Sequence, residues 1–336
     1  MNAKHCLLPA TLLMMPLLLG NLSGCTCGFD CNNDDDDQTG TLTFSVSDSL
    51  PEDLKQVVIV VNTLTFRRGS EEIVIDNFTD PNDPTSNTVS IDLLRFPGVI
   101  NFDLISGFEL LTGTYTPILG LLTNNENESF VKEADDTIRK LNVSNSNGSI
   151  TLPNFTVTTG SQEYVAEFGL ARALRYFPSD QTYQLTTEGV QVINSEDAGV
   201  LGGRVDSTLF DRDAPCSQKL DPDSGNRVYL YEGRDRVLED LADVFTSSSE
   251  STPPANAVAP FAVAKLLESA SGTWEYAFGY LPAGEYTIAF ACNTSEDDPV
   301  NFDGLIIPEP SDQVYEVTLT SGLTTTCDIT QDATAC

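Results

Sequence analysis

From Gly40 onward, the chain consists of short stretches in which apolar and polar residues alternate, separated by clusters of turn-forming residues. Leu42, Phe44 and Val46 alternate with threonine and serine, and a period of two is typical of a strand with one buried face. Residues that favour helices are scarce beside those that favour strands and turns. The pattern predicts an all-β protein with strands near 42–47, 57–66, 73–75, 89–94, 114–122, 155–159, 163–169, 182–193, 200–205, 228–231, 259–267, 273–279, 285–292 and 313–319.

Two segments could form helices. Residues 129–141 have helical propensity, but strands flank them on both sides, so we expect a hairpin that turns at Asp135 and Asp136. Residues 235–245 are predicted to form one short helix, because helical spacing places three apolar side chains on a shared face: Leu238, Leu241 and Phe245.

Residues 1–24 combine a basic start with an apolar run that two prolines interrupt and that is too short to span a membrane. The run ends in Leu22-Ser23-Gly24-Cys25, which resembles the bacterial lipobox, where the cysteine thiol receives diacylglycerol before cleavage. An ordinary secretory signal is the alternative. The resemblance implies that Cys25 is the lipidated N-terminus of the mature protein, and Thr26 after it favours the bacterial outer membrane.

Residues 25–39 contain four consecutive aspartates, 34–37. Like charges at this density repel each other and extend the chain. This composition predicts an acidic tether between the lipid and the first domain, and a calcium-binding tract is the alternative.

The charge of the chain excludes several classes of function. The chain carries 17 basic and 50 acidic side chains, for a formal net charge of −33. Its single histidine, His5, lies in the export signal and would be lost when that signal is cleaved. Without histidine, a Ser/His/Asp or Cys/His hydrolase cannot be built, and neither can a zinc site based on imidazole. Repulsion between this charge and a phosphate backbone also argues against nucleic acid as a partner.

The length predicts two domains, because single hydrophobic cores stop growing at roughly 250–300 residues. A polar break at residues 194–199 divides the strand pattern. We therefore predict two tandem β-sandwich domains, over residues 40–195 and 196–336.

A short repeat occurs once in each predicted domain. Residues 110–116 and 281–287 both read Leu-x-x-Gly-x-Tyr-Thr and both enter an apolar strand. Glycine permits a tight turn, after which the tyrosine folds over the edge of the sandwich. The pattern resembles the turn of prealbumin-like and carboxypeptidase-regulatory-like sandwiches, the second copy more closely, and favours immunoglobulin-like or prealbumin-like sandwiches.

Residues 40–49, 53–60, 91–94 and 163–168 occur in this order, with the first Leu-x-x-Gly-x-Tyr turn before the last of them. Together they resemble the family of bacterial lipoproteins that carry the domain of unknown function 4382. The resemblance covers roughly the first predicted domain, and the remainder resembles a prealbumin-like module. It implies a fold and an envelope location, and it implies no activity and no catalytic residues.

The sequence offers no defined catalytic group. Ser129 and Lys132 form a Ser-x-x-Lys pair, but on a strand these side chains point to opposite sides, so no dyad is expected. A glycosidase needs two carboxylates roughly 5–9 Å apart, which fifty acids supply by chance.

Two acidic turns and one cationic group are candidate binding sites. The runs 221–226 and 296–304 carry spaced oxygen ligands beside glycine, as calcium requires, but neither has EF-hand spacing. We expect solvated surface turns, no cofactor, and a melting temperature that changes little when calcium is removed. A second group could contact a glycan or an anionic lipid, although a local ion-pair cluster is the favoured interpretation: Arg172, Arg175, Tyr176 and Phe177.

Six cysteines remain once Cys6 is removed and Cys25 is acylated, and an exported protein with an even number predicts disulfides. We expect Cys216 to pair with Cys292, tying two strands, and Cys327 to pair with Cys336. Spacing alone leaves this open, since four cysteines allow three arrangements. The remaining two are expected to form a small bridge or to stay free: Cys27 and Cys31.

These observations favour a non-catalytic, lipid-anchored protein of the bacterial outer membrane. It would bind or scaffold through the loops at the ends of its sandwiches. Its expected partners are the membrane, through the lipid, and an envelope protein or glycan; the oligomeric state stays open. A carboxylate-based enzyme or accessory protein acting on polysaccharide is the alternative.

Overall fold

The computed structural model describes residues 38–49, 54–125, 128–143, 145, 147–244, 252–295, 297, 302–331 and 336, and nearly every regular element in them is a strand. The prediction of an all-β fold is therefore confirmed. The described residues of the first half contain a short α-helix, α1 (Leu170–Ala173), a 3₁₀ turn (Leu93–Arg95) and these strands: β1 (Thr39–Ser49), β2 (Leu54–Arg68), β3 (Glu71–Ile75), β4 (Val89–Asp92), β5 (Phe102–Leu111), β6 (Gly113–Leu121), β7 (Phe130–Glu133), β8 (Ile138–Val143), β9 (Ser149–Thr151), β10 (Phe155–Val157), β11 (Gly160–Gly169), β12 (Leu174–Phe177), β13 (Thr182–Leu185) and β14 (Val190–Asn194).

Two sheets face each other in this half. One has the order β14-β11-β1-β5, and the other runs β10-β6-β2-β7-β8-β13-β12, with β3 and β4 paired to β2 and β9 paired to β6. β1 is central because it pairs with β11 in parallel and with β5 antiparallel. Its alternation sends Leu42, Phe44 and Val46 into the core, where the ring of Phe44 lies 5.6 Å from that of Phe66 on β2.

The second half forms another pair of sheets, with the orders β18-β19-β15-β22 and β17-β16-β20-β21. Leu201, Phe278 and Phe290 lie in the core between them. The strands are β15 (Gly199–Val205), β16 (Arg227–Glu232), β17 (Ala262–Lys265), β18 (Leu267–Glu268), β19 (Trp274–Leu281), β20 (Gly284–Ala291), β21 (Val314–Leu319) and β22 (Thr324–Thr326).

Two disulfides close the second half. Cys216 is joined to Cys292 at the end of β20, with a Cα–Cα distance of 5.6 Å, and Cys327 after β22 is joined to Cys336 at 4.8 Å. The first bridge spans 76 positions of sequence and connects the loop after β15 to the sheet that contains β20. Cys25, Cys27 and Cys31 lie outside the described residues.

The repeated motif makes the same contact in both halves. The hydroxyl of Tyr115 donates to the carbonyl of Leu111 at 2.9 Å, and that of Tyr286 donates to Pro282 at 2.9 Å. Both rings are buried, and a buried tyrosine bonded back to the chain four residues upstream pins the corner between two strands. The repeat is therefore a structural device of each sandwich.

We expect Tyr115→Phe and Tyr286→Phe each to lower the free energy of unfolding by about 1 kcal/mol, because each leaves a carbonyl without its donor. Urea unfolding measures this. Tyr176→Phe is the matched control, since Tyr176 is only partly buried and its ring packs against Tyr183 rather than at a corner between two strands. Equal stability of all three variants would contradict a structural role for the motif.

The two ambiguous segments resolve differently. Residues 129–141 form the predicted hairpin, with β7 and β8 paired and Asp136 in the turn at φ 72°. The predicted helix over 235–245 is wrong: Leu238–Asp240 form a single 3₁₀ turn, and Leu241 then pairs with Val258. Leu241 and Val244 pack onto the outer face of β16, whereas Leu238 is exposed, so no helical stripe forms. Phe245 lies outside the described residues.

Candidate functional site

One face of the first sheet is covered by the second sandwich. Val165 and Glu167 on β11 point away from the first core, yet both are at most 4% exposed. Val165 packs in a small apolar cluster with Ala198 and Tyr280. The alternation of side chains along β11 predicts that Val165 and Glu167 face solvent, but the second sandwich buries both.

Residues 96–100 form a loop that is held against β1 at this interface. The hydroxyl of Ser47 lies within hydrogen-bond distance of the carbonyls of Phe96 (3.0 Å) and Ile100 (2.9 Å). The loop brings the carbonyl of Gly98 against Gly279 of β19, where a Cβ atom would lie 2.0 Å from that oxygen. Only glycine fits at position 279.

Tyr280 joins the sandwiches through three hydrogen bonds. Its hydroxyl accepts from Asn101 Nδ2 at 3.0 Å and donates to the carbonyl of Val99 at 3.0 Å. Its own carbonyl accepts from Gln191 Nε2 at 2.8 Å. Tyr280 has φ 49°, a left-handed conformation that costs about 1–3 kcal/mol and persists only where surrounding contacts enforce it.

A cavity of about 170 Å³ lies in this interface. Glu167, Arg172 and Gln191 line it from the first sandwich, and Phe261 and Phe278 line it from the second. Burial raises the pKa of Glu167 to about 8, against a small opposing effect of its hydrogen bond with Ser47. The carboxyl group is therefore largely protonated at neutral pH.

Three carboxylates meet on the outer face of the second sandwich. Asp243, Asp297 and Asp303 each place one oxygen within 4.8 Å of the others. Asp243 is fully buried, and its Oδ2 accepts from the backbone N–H groups of Asp303, Gly304 and Leu305 at 3.2, 2.9 and 3.0 Å. Burial, together with the neighbouring Asp303, raises the pKa of Asp243 to about 7.

Two side chains of β16 bind the carboxylate of Asp297. Its side chain is completely buried, forms an ion pair with Arg227 and accepts a hydrogen bond from the hydroxyl of Tyr229 at 3.2 Å. The interpretation of residues 296–304 as a solvated turn is therefore wrong for Asp297. Asp303, in contrast, is exposed.

The other acidic turn carries its own cation. Lys219 Nζ donates to the carbonyls of Pro222 and Ser224 and to Asn226 Oδ1, each at 2.8 Å. These oxygens converge on an ammonium group, which occupies the position that a metal ion would need. Residues 221–226 are thus a turn organised by lysine.

The cationic group of the first half is not one surface patch. Arg175 is 8% exposed and pairs with Glu188 at 2.6 Å, while Arg172 lines the interface cavity. Tyr176 lies against Tyr183, with ring centroids 4.9 Å apart. Phe177 remains partly exposed.

The Ser-x-x-Lys pair is also separated, as predicted. The hydroxyl of Ser129 accepts from the backbone N–H of Val60 at 3.0 Å, and Lys132 pairs with Asp136 at 2.9 Å. Neither group is available to the other.

Residues 39–187 match the family model described as Domain of unknown function (DUF4382). This finding confirms the family resemblance of the first half and leaves the prealbumin-like module of the second half a prediction. No curated protein matches the sequence. Within the described residues, no helix has the length and apolar character needed to cross a membrane.

Solved structures give only distant likenesses. The Bacillus anthracis TIE protein is 9% identical over 86% of this chain, with a TM-score of 0.18, and a leucine-rich repeat protein from Bacteroides thetaiotaomicron is 11% identical over 87%, with a TM-score of 0.19. The chain spans 33% and 26% of their lengths. The fimbrial anchor protein Mfa2 from Porphyromonas gingivalis is 10% identical over 79% of this chain and 83% of its own, with a TM-score of 0.17. At these TM-scores the likeness carries no argument about function.

Proposed function

We propose that the chain is a non-catalytic protein of the bacterial envelope, anchored by lipid at Cys25, whose two sandwiches act as one rigid binding or scaffolding body. The interface around Tyr280 supports the rigid arrangement of the two sandwiches in this proposal. Tyr280 has a left-handed backbone conformation and makes three hydrogen bonds across the interface, and Gly279 packs directly against the backbone of Gly98. Such contacts favour a fixed arrangement of the sandwiches over a hinge.

The lining of the two cavities between the sandwiches favours a binding module over the enzyme alternative. A glycosidase needs two carboxylates whose pKa values differ, placed on either side of the substrate. Glu167 is the single carboxylate that lines the interface cavity of the described chain. A second cavity, of about 270 Å³, is lined by Glu268 and Glu275. Both side chains are exposed, so burial does not distinguish one carboxylate from the other.

The proposed lipid anchor rests on the N-terminal sequence. The lipobox-like segment Leu22–Cys25 and the four aspartates after it would place an anchor and an extended acidic spacer directly before β1. Several acyl chains hold a protein to a membrane firmly, whereas one chain binds weakly and reversibly. The partner would be another envelope protein or a glycan, met by loops at the ends of the sandwiches.

We expect Cys25→Ala to abolish labelling of the protein by a palmitate analogue in cells and to leave the export signal uncleaved, because the thiol accepts the lipid before cleavage. Fractionation should then recover less of the variant with the outer membrane. Cys6→Ala, within the segment that cleavage removes, is the control and should label like the wild type. Labelling that persists in Cys25→Ala, or that is missing from the wild type, would refute the anchor.

A further inference from the structure

We propose that Asp243, Asp297 and Asp303 bind one divalent cation, with Ca²⁺ preferred, on the outer face of the second sandwich. The inference is independent of the lipid anchor. It rests on the spacing, burial and charge of these side chains.

The spacing suits calcium. Ca²⁺ takes oxygen ligands at 2.3–2.6 Å, so two oxygens on opposite sides of the ion lie about 4.8 Å apart. The three carboxylates offer oxygens that all lie within 4.8 Å of one another. The set contains neither histidine nor cysteine, which disfavours zinc, and Mg²⁺ demands a stricter octahedron at shorter distances.

A second observation points to a ligand in this cluster. Asp243 is fully buried and its Oδ2 is occupied by three backbone donors, but within the described chain its Oδ1 has no hydrogen-bond partner. A buried carboxylate oxygen without a donor is costly unless a cation or a proton satisfies it. The other carboxylates of the cluster lie next to it, so a cation between them would supply the missing interaction.

The charge of the cluster also fits a divalent ion. Three carboxyl groups lie within 4.8 Å of one another, and one cationic side chain, Arg227, pairs with Asp297 among them. A divalent cation bound by all three groups would reduce the repulsion between their charges.

Such an ion would cross-link segments that are distant in sequence. Asp243 follows the 3₁₀ turn Leu238–Asp240, Asp297 follows β20, and Asp303 begins the segment that runs to Ile307. Leu241, Val244 and Ile307 from these segments cover the tyrosines on the outer face of β16. Calcium would therefore stabilise the cover of this face, which is the reverse of the small effect expected from sequence.

The test is a titration of the chelator-treated, full-length mature protein with CaCl₂, at constant ionic strength, followed by calorimetry and thermal unfolding. We expect one Ca²⁺ per chain and a rise in melting temperature of about 5 °C at one hundred times the Kd. Tb³⁺, an oxygen-seeking substitute that emits when a nearby tyrosine is excited, should report the same site, since Tyr229 donates to Asp297.

Asp303→Asn is the informative variant, because Asp303 is exposed and the substitution is expected to leave the fold intact, which the circular dichroism spectrum of the variant checks. It should weaken Ca²⁺ binding at least tenfold and reduce Tb³⁺ emission. Glu239→Gln removes an exposed carboxylate from the segment that holds Asp243, and should bind like the wild type.

Three results would overturn the proposal: no calcium-dependent shift in the wild type, equal binding by Asp303→Asn and the wild type, or equal stabilisation by Mg²⁺ and Ca²⁺. The last would indicate diffuse counterions around an acidic chain.

Discussion

Glu167→Gln is expected to stabilise the protein at pH 8 and to remove a large part of its pH dependence. The pKa of Glu167 is raised from 4.5 to about 8 in the folded protein by burial. The folded state therefore holds its proton more tightly than the unfolded state. Stability from this group is fully present below pH 4.5 and is lost as the pH rises towards 8.

The size of the effect follows from the width of that window. Each unit of pKa difference corresponds to about 1.4 kcal/mol, so the wild type should lose about 3 to 5 kcal/mol between pH 4.5 and 8.5 that the glutamine variant retains. Glutamine keeps the shape and can donate to Ser47, on the neighbouring strand. Arg172 and Gln191 line the same cavity and are unchanged.

Urea unfolding at pH 5, 6.5 and 8 measures this difference. The repulsion within a chain of net charge −33 also grows with pH, so the comparison with the variant is what isolates Glu167. Glu109→Gln, at an exposed position of β5, is the control for the loss of one acid and should follow the wild type. Parallel pH profiles of Glu167→Gln and the wild type would show that Glu167 is ionised and solvated.

Gly279→Ala is expected to lower the free energy of unfolding by about 3 kcal/mol or more. The added Cβ would lie 2.0 Å from the carbonyl of Gly98 and 2.9 Å from the backbone nitrogen of Val99. Backbone atoms cannot move aside as a flexible side chain can, so the sandwiches must separate locally, at the cost of overpacking and of the bonds made by Tyr280.

Gly199→Ala is the matched control, because its Cβ would meet no neighbouring atom closer than 3.5 Å. The single tryptophan, Trp274, lies on the same strand as Gly279 and reports unfolding of the second sandwich by fluorescence. If Gly279→Ala unfolds at the same urea concentration as Gly199→Ala, the close approach between Gly98 and Gly279 does not stabilise the interface.

The strands could be predicted because the residues that specify a strand are neighbours in the sequence. Apolar and polar residues alternate in β1, because one side of the strand faces the core and the other does not, and this pattern is enough to predict the strand. The turn at Asp135-Asp136 is likewise enough to predict the hairpin of β7 and β8. The predicted strand over 182–193 is two strands, β13 and β14, with Gly189 at φ 75° between them. The repeated turn was found because glycine and tyrosine recur at fixed spacing, and its corner contact is the same in both halves.

The interface and the carboxylate cluster were not predictable, since they join residues far apart in sequence. Glu167 looks like an outward position of a strand, and only its contact with the second sandwich buries it. The acidic run 296–304 stands out in the sequence, but Asp243 lies about sixty positions earlier, in a segment whose apolar spacing predicts a helix. Local pattern gives no sign that these positions meet.

The two sandwiches are expected to behave as one rigid body, and residual dipolar couplings of backbone amides measure this directly in the wild-type protein. Amides of β1, β2 and β11 in the first sandwich and of β16, β19 and β20 in the second should all fit a single alignment tensor. Two tensors of different magnitude or orientation, one for each sandwich, would show independent motion and contradict the account.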